Sequence, residues 1–372
     1  MNNVTKIILI SICVPVILFF GCKQPNESNM AINVGSTIEK IVKDNNFNGN
    51  ILVSNKGEII YKECFGYSNF SAFQNLNDSS IFLLCSVSKQ FTAMGIMILK
   101  ERGLLSYDDD LRKYIPEIPY EGITIRNMLN HTSGLPAYET LLLNKIGPNK
   151  IASNKDIIEM LISLKPPVMF KPGEKWEYCD TAYELLASII EIVSNKSYGE
   201  FLKLNIFDPL QMENSFNYIT RRSKSEVVPN YAFGYLYSDS LKKYVLPDSL
   251  VEHNIVFTLD ATQGAGSINS TVVDMHKWDR ALYTEKIVKF STLKEAFQPT
   301  KLQNDSIVNY GFGWYIEIDP LGRRTVSHTG GWPGYRTYIS RSLDADNCII
   351  VLSNNESNSF IVGRTIYDEL FK

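Results

Sequence analysis

The tetrapeptide Ser86-Val87-Ser88-Lys89 contains the residue pair with the clearest capacity for chemistry in this sequence. A serine and a lysine three positions apart lie on one face of a helix, one turn from each other. A serine hydroxyl is a poor nucleophile unless a nearby base takes its proton, and a lysine whose pKa is lowered by partial burial can help. The pair predicts attack by Ser86 on a carbonyl carbon, assisted by Lys89.

The sequence around this pair predicts the elements that would position it. Residues 88–102 form a long apolar run that predicts a helix, and Gly103 fits the left-handed position just after its end. The N-terminus of that helix would place its positive dipole end beside the negative charge that develops during attack. Upstream, residues 50–54 and 59–65 predict two strands joined by a hairpin turn.

The rest of the chain predicts a sheet made from both ends, with helices inserted between them. A helix at 36–44 precedes the first strands, and a final helix at 359–370 follows four strands, at 311–318, 324–328, 335–341 and 348–352. The inserted region, at about 105–300, is mostly helical, with helical patterns at 156–164, 181–193 and 293–297. The fold class is therefore α/β, and a site would lie in the cleft between sheet and helices.

Several segments resemble the class C β-lactamase family, within the serine β-lactamases and penicillin-binding proteins. They follow the family order and are residues 82–92, 100–109, 123–136, 171–180, 264–267 and 328–331. The resemblance spans about residues 36–372. It implies a β-lactamase/transpeptidase-like fold, in which an antiparallel sheet built from both chain termini carries flanking helices and a helical insertion.

The resemblance also implies roles for individual residues. Ser86 would form an acyl-enzyme, Lys89 would help to remove its proton, and Tyr178 would share the acid/base task. The backbone N–H groups of Ser86 and Gly331 would form the oxyanion hole, where one donor typically contributes about 2.7–4 kcal/mol. The site would then perform acyl transfer to water or to another acceptor.

Two residues depart from the family pattern. Asp180 stands where the Tyr-x-Asn motif has asparagine, so a carboxylate replaces amide donors and adds negative charge beside Lys89. We expect this charge to raise the pKa of Lys89 or Tyr178. His328 replaces the lysine of the usual Lys-Thr-Gly, ahead of Thr329 and Gly330, and predicts a site charge that depends on pH. Both departures argue against efficient β-lactam hydrolysis.

Other chemically active residues receive structural interpretations. His131 is predicted to be a hydrogen-bonded loop residue, and Gly264-Ala265-Gly266 to supply a tight turn. No Cys/His cluster predicts a metal site, and no cofactor is expected. Cys85 and Cys179 adjoin site residues and would lie near one another, as free buried thiols. Trp332 follows Gly331 closely enough to touch a ligand.

The first residues resemble an export signal. Lys6 precedes an apolar run from Ile7 to Phe20, which is shorter than the ~20 residues of a spanning helix. Gly21-Cys22 resembles a bacterial lipoprotein signal, which predicts a signal at 1–22, lipidation of Cys22, a polar tether at 23–35 and the hydrolase domain at 36–372. The predicted location is the cell envelope, on the membrane through the lipid. A plain secretory signal, with a soluble product, or an uncleaved anchor are the alternatives.

Charge and composition exclude one class of partner. The formal net charge of the 372 residues is -3, and no basic face for nucleic acid is indicated. The sequence predicts an exported serine hydrolase that acts on a small ester or a peptide of D-amino acids, as an esterase or a D-Ala-D-Ala carboxypeptidase would. The alternatives are a β-lactamase and a penicillin-binding or cell-wall sensor protein without turnover. The oligomeric state stays open.

Overall fold

The fold is seen in a computed structural model that describes residues 27–146, 150–218 and 228–372, with side chains from Val34 onward. The predicted signal and Cys22 lie outside the described residues. In the part of the chain that is described, no helix combines the length and the apolar character needed to cross a membrane.

The described helices are distributed along the whole chain. The α-helices, numbered α1 to α11 in chain order, are Glu27–Asp44, Lys89–Glu101, Ile125–Leu129, Tyr138–Lys145, Asn154–Leu164, Asp180–Ser194, Tyr198–Leu202, Ile255–Thr258, Val272–Ala281, Phe290–Ala296 and Ser359–Phe371. Short 3₁₀ turns occupy Cys85–Ser88, Leu111–Lys113, Pro247–Ser249 and Val251–His253, and a π-helical turn occupies Lys203–Phe207.

The strands concentrate at the two ends of the chain. Numbered β1 to β15, they are Gly49–Asn55, Glu58–Phe65, Tyr67–Asn69, Gln74–Asn75, Phe82–Leu83, Phe216–Asn217, Leu236–Ser238, Lys243–Val245, Ile268–Ser270, Thr300–Lys301, Ile307–Val308, Tyr315–Ile318, Arg324–Trp332, Tyr335–Ser342 and Asn347–Ser353. Six of them form one antiparallel sheet in the order β12-β13-β14-β15-β1-β2, so both termini build it, as predicted. A three-stranded sheet, β5-β9-β6, lies beside the nucleophile segment.

Alternating side chains divide the main sheet between two cores. Ile349 and Val351 of β15 face a core shared with α1 and α11. Cys348, Ile350 and Leu352 of the same strand face the larger core that includes the inserted helices. Because successive side chains of a strand point to opposite faces, this central strand is apolar from Cys348 to Leu352 and buried on both sides.

The first hairpin and the helix after Ser86 form as the sequence predicts. Lys56 and Gly57 both have positive φ, 50° and 80°, which is the backbone of a two-residue type I′ turn between β1 and β2. Helix α2 is buried from Lys89 to Leu99, and Gly103 follows it with a φ of 72°. A Cβ on Gly95 would lie 2.7 Å from Ile190, so this glycine lets α2 and α6 approach closely.

Three predicted boundaries are wrong, and one of them is the end of β13, which lies at Trp332 instead of residue 328. Helix α1 begins at Glu27 instead of residue 36, because a glycine at 35 only weakens a helix and does not end it. Strand β12 covers Tyr315–Ile318 instead of 311–318. Before it, Gly311 packs so tightly that an added Cβ would lie 2.0 Å from the Ala296 carbonyl oxygen, and Gly313 has a φ of 77°.

A buried ion pair connects the main sheet to α9, and we expect its loss to destabilise the protein. Arg341 of β14 and Asp279 of α9 are both buried, with Nε and Oδ1 2.7 Å apart. Asp279→Asn leaves Arg341 as an uncompensated buried charge, so we expect the free energy of unfolding to fall by about 3–5 kcal/mol in urea titrations. Asp344→Asn is the control, because the Arg324–Asp344 pair is exposed and its loss costs at most about 1 kcal/mol. An equal fall in the free energy of unfolding in the two variants would contradict a special role for the buried pair.

Candidate active site

Ser86 lies in a 3₁₀ turn that leads directly into α2. The residue before it, Cys85, has a φ of 51°, a conformation that non-glycine residues seldom adopt and that is often found at functional sites. Contacts from elements distant in sequence hold the turn: the Thr337 hydroxyl donates to the Leu84 carbonyl at 2.7 Å, and the Ile268 N–H donates to the Ser88 hydroxyl at 3.0 Å. Ser86 is therefore fixed by the main sheet on one side and by β9 on the other.

Lys89 lies beneath Ser86 with its ammonium completely buried. Its Nζ donates to Ser86 Oγ at 3.3 Å and to the Ala265 carbonyl at 3.0 Å. It also lies 2.6 Å from Asp180 Oδ1, in an ion pair in which the lysine side chain is inaccessible and the aspartate is one-third exposed. These contacts bring together three residues that the sequence predicted for the site.

The charge of Asp180 decides the protonation of Lys89. Burial lowers the pKa of Lys89, but the adjacent carboxylate and the neighbouring Tyr178 outweigh it, so the pKa lies above its ordinary value. The expectation that Asp180 raises the pKa of Lys89 is confirmed. Lys89 is therefore an ammonium in the free protein, and it must lose a proton before it can act as a base.

Tyr178 completes the group around the nucleophile. Its ring centroid lies 4.8 Å from Lys89 Nζ and 4.4 Å from the His131 ring. The residue is half-buried, but its hydroxyl is fully buried, beside Lys89 and Ser86, without a hydrogen bond of regular geometry among the described residues. Burial raises the pKa of Tyr178 to about 12, against the opposing charge of Lys89, so the phenol is neutral.

Strand β13 passes the nucleophile turn at very short range. A Cβ on Gly330 would lie 2.4 Å from the Leu84 carbonyl oxygen and 3.0 Å from Cys85 Cβ, so only glycine permits this approach. The next residue, Gly331, lines the cleft together with Ser86. Thr329, on the other hand, is exposed and does not line it. Among the four residues predicted on this strand, Gly331 is the one that the structure places against the cleft.

The side chain of His328, a residue of β13, is wholly buried and takes part in a chain of hydrogen bonds. The Cys179 N–H donates to His131 Nδ1 at 3.1 Å, and His131 Nε2 lies 3.2 Å from the Tyr310 hydroxyl. That hydroxyl lies 3.0 Å from His328 Nε2, and His328 Nδ1 lies 2.6 Å from the Thr329 carbonyl oxygen. One proton arrangement satisfies all four contacts, with His131 Nε2–H, Tyr310 O–H and His328 Nδ1–H as donors. In it both histidines are neutral.

The predicted pH-dependent charge on His328 is therefore wrong. Burial, and next the charge of Lys89, lower the pKa of His328 to about 3, and burial lowers that of His131 well below 6.5. The interpretation of His131 as a hydrogen-bonded loop residue is confirmed by its two ring contacts. The usual lysine of this strand is not replaced by another cation.

A cleft opens in front of Ser86. It is lined by Leu83, Cys85, Ser86, Tyr138, Asp180, Glu184, Tyr218, Leu259, Asp260, Thr262, Ala265, Gly266, Ser267, Asn269, Gly331 and Trp332. Three of these described residues are acidic and none is lysine or arginine. Trp332 lines the cleft, as predicted. Cys85 and Cys179 are buried and belong to no disulfide among the described residues, as predicted.

Three features of the site were not predicted from the sequence. The turn at 264–266 also supplies a carbonyl to Lys89, Tyr310 links the two buried histidines, and Glu184 lines the cleft. Only Glu184 had a detectable signal, because it lies four residues after Asp180 in a predicted helix and thus on the same face. The other two depend on contacts between distant segments.

The buried neutral histidines predict acid sensitivity. An unfolded histidine binds a proton below about pH 6.5, whereas folded His328 stays neutral down to about pH 3. Stability from this group is therefore complete above pH 6.5 and is lost as the pH falls toward 3. We expect the free energy of unfolding, from urea titrations, to fall by about 2 kcal/mol or more between pH 7 and 4.5, and by less in His328→Asn. The same pH slope in both proteins would contradict the buried neutral state.

The Lys89–Asp180 pair predicts how Ser86 reactivity depends on pH. We expect labelling of the wild type by a fluorophosphonate to accelerate steadily toward alkaline pH, because Lys89 is held as an ammonium. In Asp180→Asn, the carboxylate no longer opposes the effect of burial on the pKa of Lys89, so the acidic limb of the rate profile moves to lower pH by more than one unit. Asp260→Asn, which removes another carboxylate of the cleft, is the control. An unmoved limb in Asp180→Asn would exclude Lys89 as the titrating base.

Comparison with known proteins identifies the family of this chain. The family model described as Beta-lactamase matches residues 35–369. Penicillin-binding protein 4* of Bacillus subtilis (strain 168) is 40% identical over 333 residues, which cover 90% of this chain and 74% of that protein. Teichoic acid D-alanine hydrolase of Staphylococcus aureus is 25% identical over 340 residues, covering 90% and 77% respectively.

A solved structure shows the same fold. The penicillin-binding protein from Bacillus halodurans superposes with a TM-score of 0.77 at 23% identity, covering 90% of this chain and 99% of that one. The predicted resemblance and the predicted fold class are therefore both confirmed. The chain belongs to the beta-lactamase family, and it is a serine hydrolase with the fold of the penicillin-binding proteins.

Proposed function

We propose that this protein hydrolyses esters or peptides of D-amino acids through an acyl-enzyme on Ser86. The observation that carries the proposal is the position of Ser86: it lines the cleft, and its Oγ lies 3.3 Å from Nζ of the buried Lys89. The substrate class is supported by the similarity to teichoic acid D-alanine hydrolase. The proposed substrate is the one predicted from the sequence, a small ester or a peptide of D-amino acids.

The proposed reaction has two steps with the same proton carriers. Ser86 Oγ attacks the substrate carbonyl carbon while its proton passes to unprotonated Lys89, with Tyr178 as the neighbouring acid. The backbone N–H groups of Ser86 and Gly331 stabilise the oxyanion. The bond to the leaving alcohol or amine then breaks, and that group takes the proton. Water attacks the acyl-enzyme by the same route, which releases the acid and restores Ser86.

The charge of the cleft argues against carboxylate-bearing substrates. A β-lactam, and a D-Ala-D-Ala carboxy terminus, present a carboxylate close to the bond that is attacked. The described lining offers no lysine or arginine to pair with that carboxylate, and the buried imidazole of His328 is neutral. Because the described lining holds no cation for such a group, these features favour an esterase or an amino-terminal hydrolase over a β-lactamase or a carboxypeptidase.

The proposed location is the cell envelope. It is supported by the signal-like sequence that ends at Gly21-Cys22 and by the similarity to penicillin-binding protein 4*. Lipidation of Cys22, which would hold the protein on the membrane, is part of the proposal.

The decisive test is covalent labelling of Ser86. Residues 30–372 are incubated with a fluorophosphonate and, separately, with a fluorescent penicillin, and the mass of the intact protein is measured. We expect the wild type to gain the fluorophosphonate mass, Ser86→Ala to gain none, and Lys89→Ala to react at least about 100-fold more slowly, since general base catalysis contributes about 10²–10⁴-fold. Ser291→Ala, at an exposed serine of α10, should react like the wild type.

The outcomes separate the candidate functions. Absence of labelling in the wild type would overturn the acyl-enzyme proposal and favour a binding protein on a retained scaffold. Rapid penicillin turnover would favour a β-lactamase. A stable penicillin adduct without product release would favour a penicillin-binding or sensor protein.

A further inference from the structure

Glu184 is a buried acid in the cleft that the proposed reaction does not use. It lies on α6 one turn after Asp180, lines the same cleft as Ser86, and is only 2% exposed. Its Oε1 receives one long contact, 3.5 Å from the Tyr138 hydroxyl, and its Oε2 has no hydrogen-bond partner. Such a carboxyl group costs free energy in the free protein unless a partner reaches it.

No described cation neutralises Glu184. The nearby ammonium of Lys89 is already paired with Asp180 at 2.6 Å. Burial, and next the charge of Asp180, raise the pKa of Glu184 well above its ordinary value, which is the expected response of a carboxyl group without a counter-ion. A cation that enters the cleft would supply the missing partner.

Two hydroxyl groups lie near the Glu184 carboxyl group. Tyr138 Oη lies 3.5 Å from Glu184 Oε1 and 3.4 Å from Thr262 Oγ1, and all three residues line the cleft. The Thr262 hydroxyl donates its proton to the Leu259 carbonyl at 3.0 Å, which leaves its oxygen able to accept. The carboxyl group and these two hydroxyl oxygens are acceptors for a protonated amine, which has three N–H donors.

We propose that Glu184, with Tyr138 and Thr262, binds the protonated amino group of the substrate's acyl part. The substrate class is then an α-amino acid ester or amide with a free amino group. This inference rests on the proposed function and deepens it, because it names the part of the substrate that the cleft selects. The positive charge of the bound amine also repels the Lys89 ammonium, which favours the loss of the proton that the reaction requires.

A matched pair of substrates tests the subsite. D-Alanine p-nitroanilide and its N-acetyl derivative have the same reacting bond and differ in the amino charge. We expect the wild type to have a kcat/KM at least about 10-fold higher for the free amine. Glu184→Gln should lower that value about 10–100-fold, the range expected for a hydrogen bond to a charged group, and leave the acetylated substrate within about twofold.

A second carboxylate controls for charge removal. Glu159→Gln, on α5, removes an exposed acid that does not line the cleft, and it should leave both substrates within about twofold of the wild type. An equal loss on both substrates in Glu184→Gln would assign that residue a purely structural role and overturn the proposal. A wild-type preference for the acetylated substrate would overturn it too.

Binding to an inactive variant separates this proposal from the proposed function. Calorimetry on Ser86→Ala should detect D-alaninamide at least about 10-fold more tightly than N-acetyl-D-alaninamide, and Ser86→Ala/Glu184→Gln should lose that difference. If the difference appears but the fluorophosphonate does not label Ser86, the subsite stands and the acyl-enzyme fails. If Ser86 is labelled but both amides bind equally, the subsite alone is wrong.

Discussion

The buried ion pair between Lys89 and Asp180 is the interaction on which the rest of the site depends. An inaccessible ammonium loses several kcal/mol of hydration, and only close partners can offset that loss. Here α6 brings the Asp180 carboxylate, the turn after α8 brings the Ala265 carbonyl, and the rings of Tyr178 and Tyr183 lie at 4.8 and 5.5 Å. Lys89 thus joins α2 to α6 directly beneath the nucleophile. The same pair sets the protonation of the base, so stability and reactivity at this point are coupled.

The sheet meets this helical part of the molecule at the turn before Ser86. Gly330 allows β13 to pass within van der Waals contact of Leu84 and Cys85, and Thr337 of the next strand holds the Leu84 carbonyl. The strained backbone at Cys85 is tolerated because contacts from both sides fix it. The turn that carries the nucleophile is therefore held by Ile268 and Thr337, which lie about 180 and 250 positions further along the sequence.

The distribution of charge follows from this arrangement. The described cation nearest the reaction lies under the floor of the cleft and is already paired, while the wall carries acidic side chains. Burial keeps His131 and His328 neutral, and hydrogen bonds through the Tyr310 hydroxyl connect their rings. The family scaffold is thus combined with a cleft whose described lining holds no lysine or arginine.

Local patterns in the sequence determined the order of elements and the nucleophile. The hairpin at Lys56-Gly57, the helix that follows Ser86 and its glycine stop are properties of short segments, and the spacing of Ser86 and Lys89 on one helical face follows from helix geometry. The start of α1 was not predicted because a single glycine weakens a helix without ending it. The short β12 was not predicted because the close packing of Gly311 against Ala296 leaves no mark on the local pattern. The neutrality of His328 and the missing partner of Glu184 were decided only by the tertiary structure, since burial and the loss of water depend on which distant segments cover a side chain.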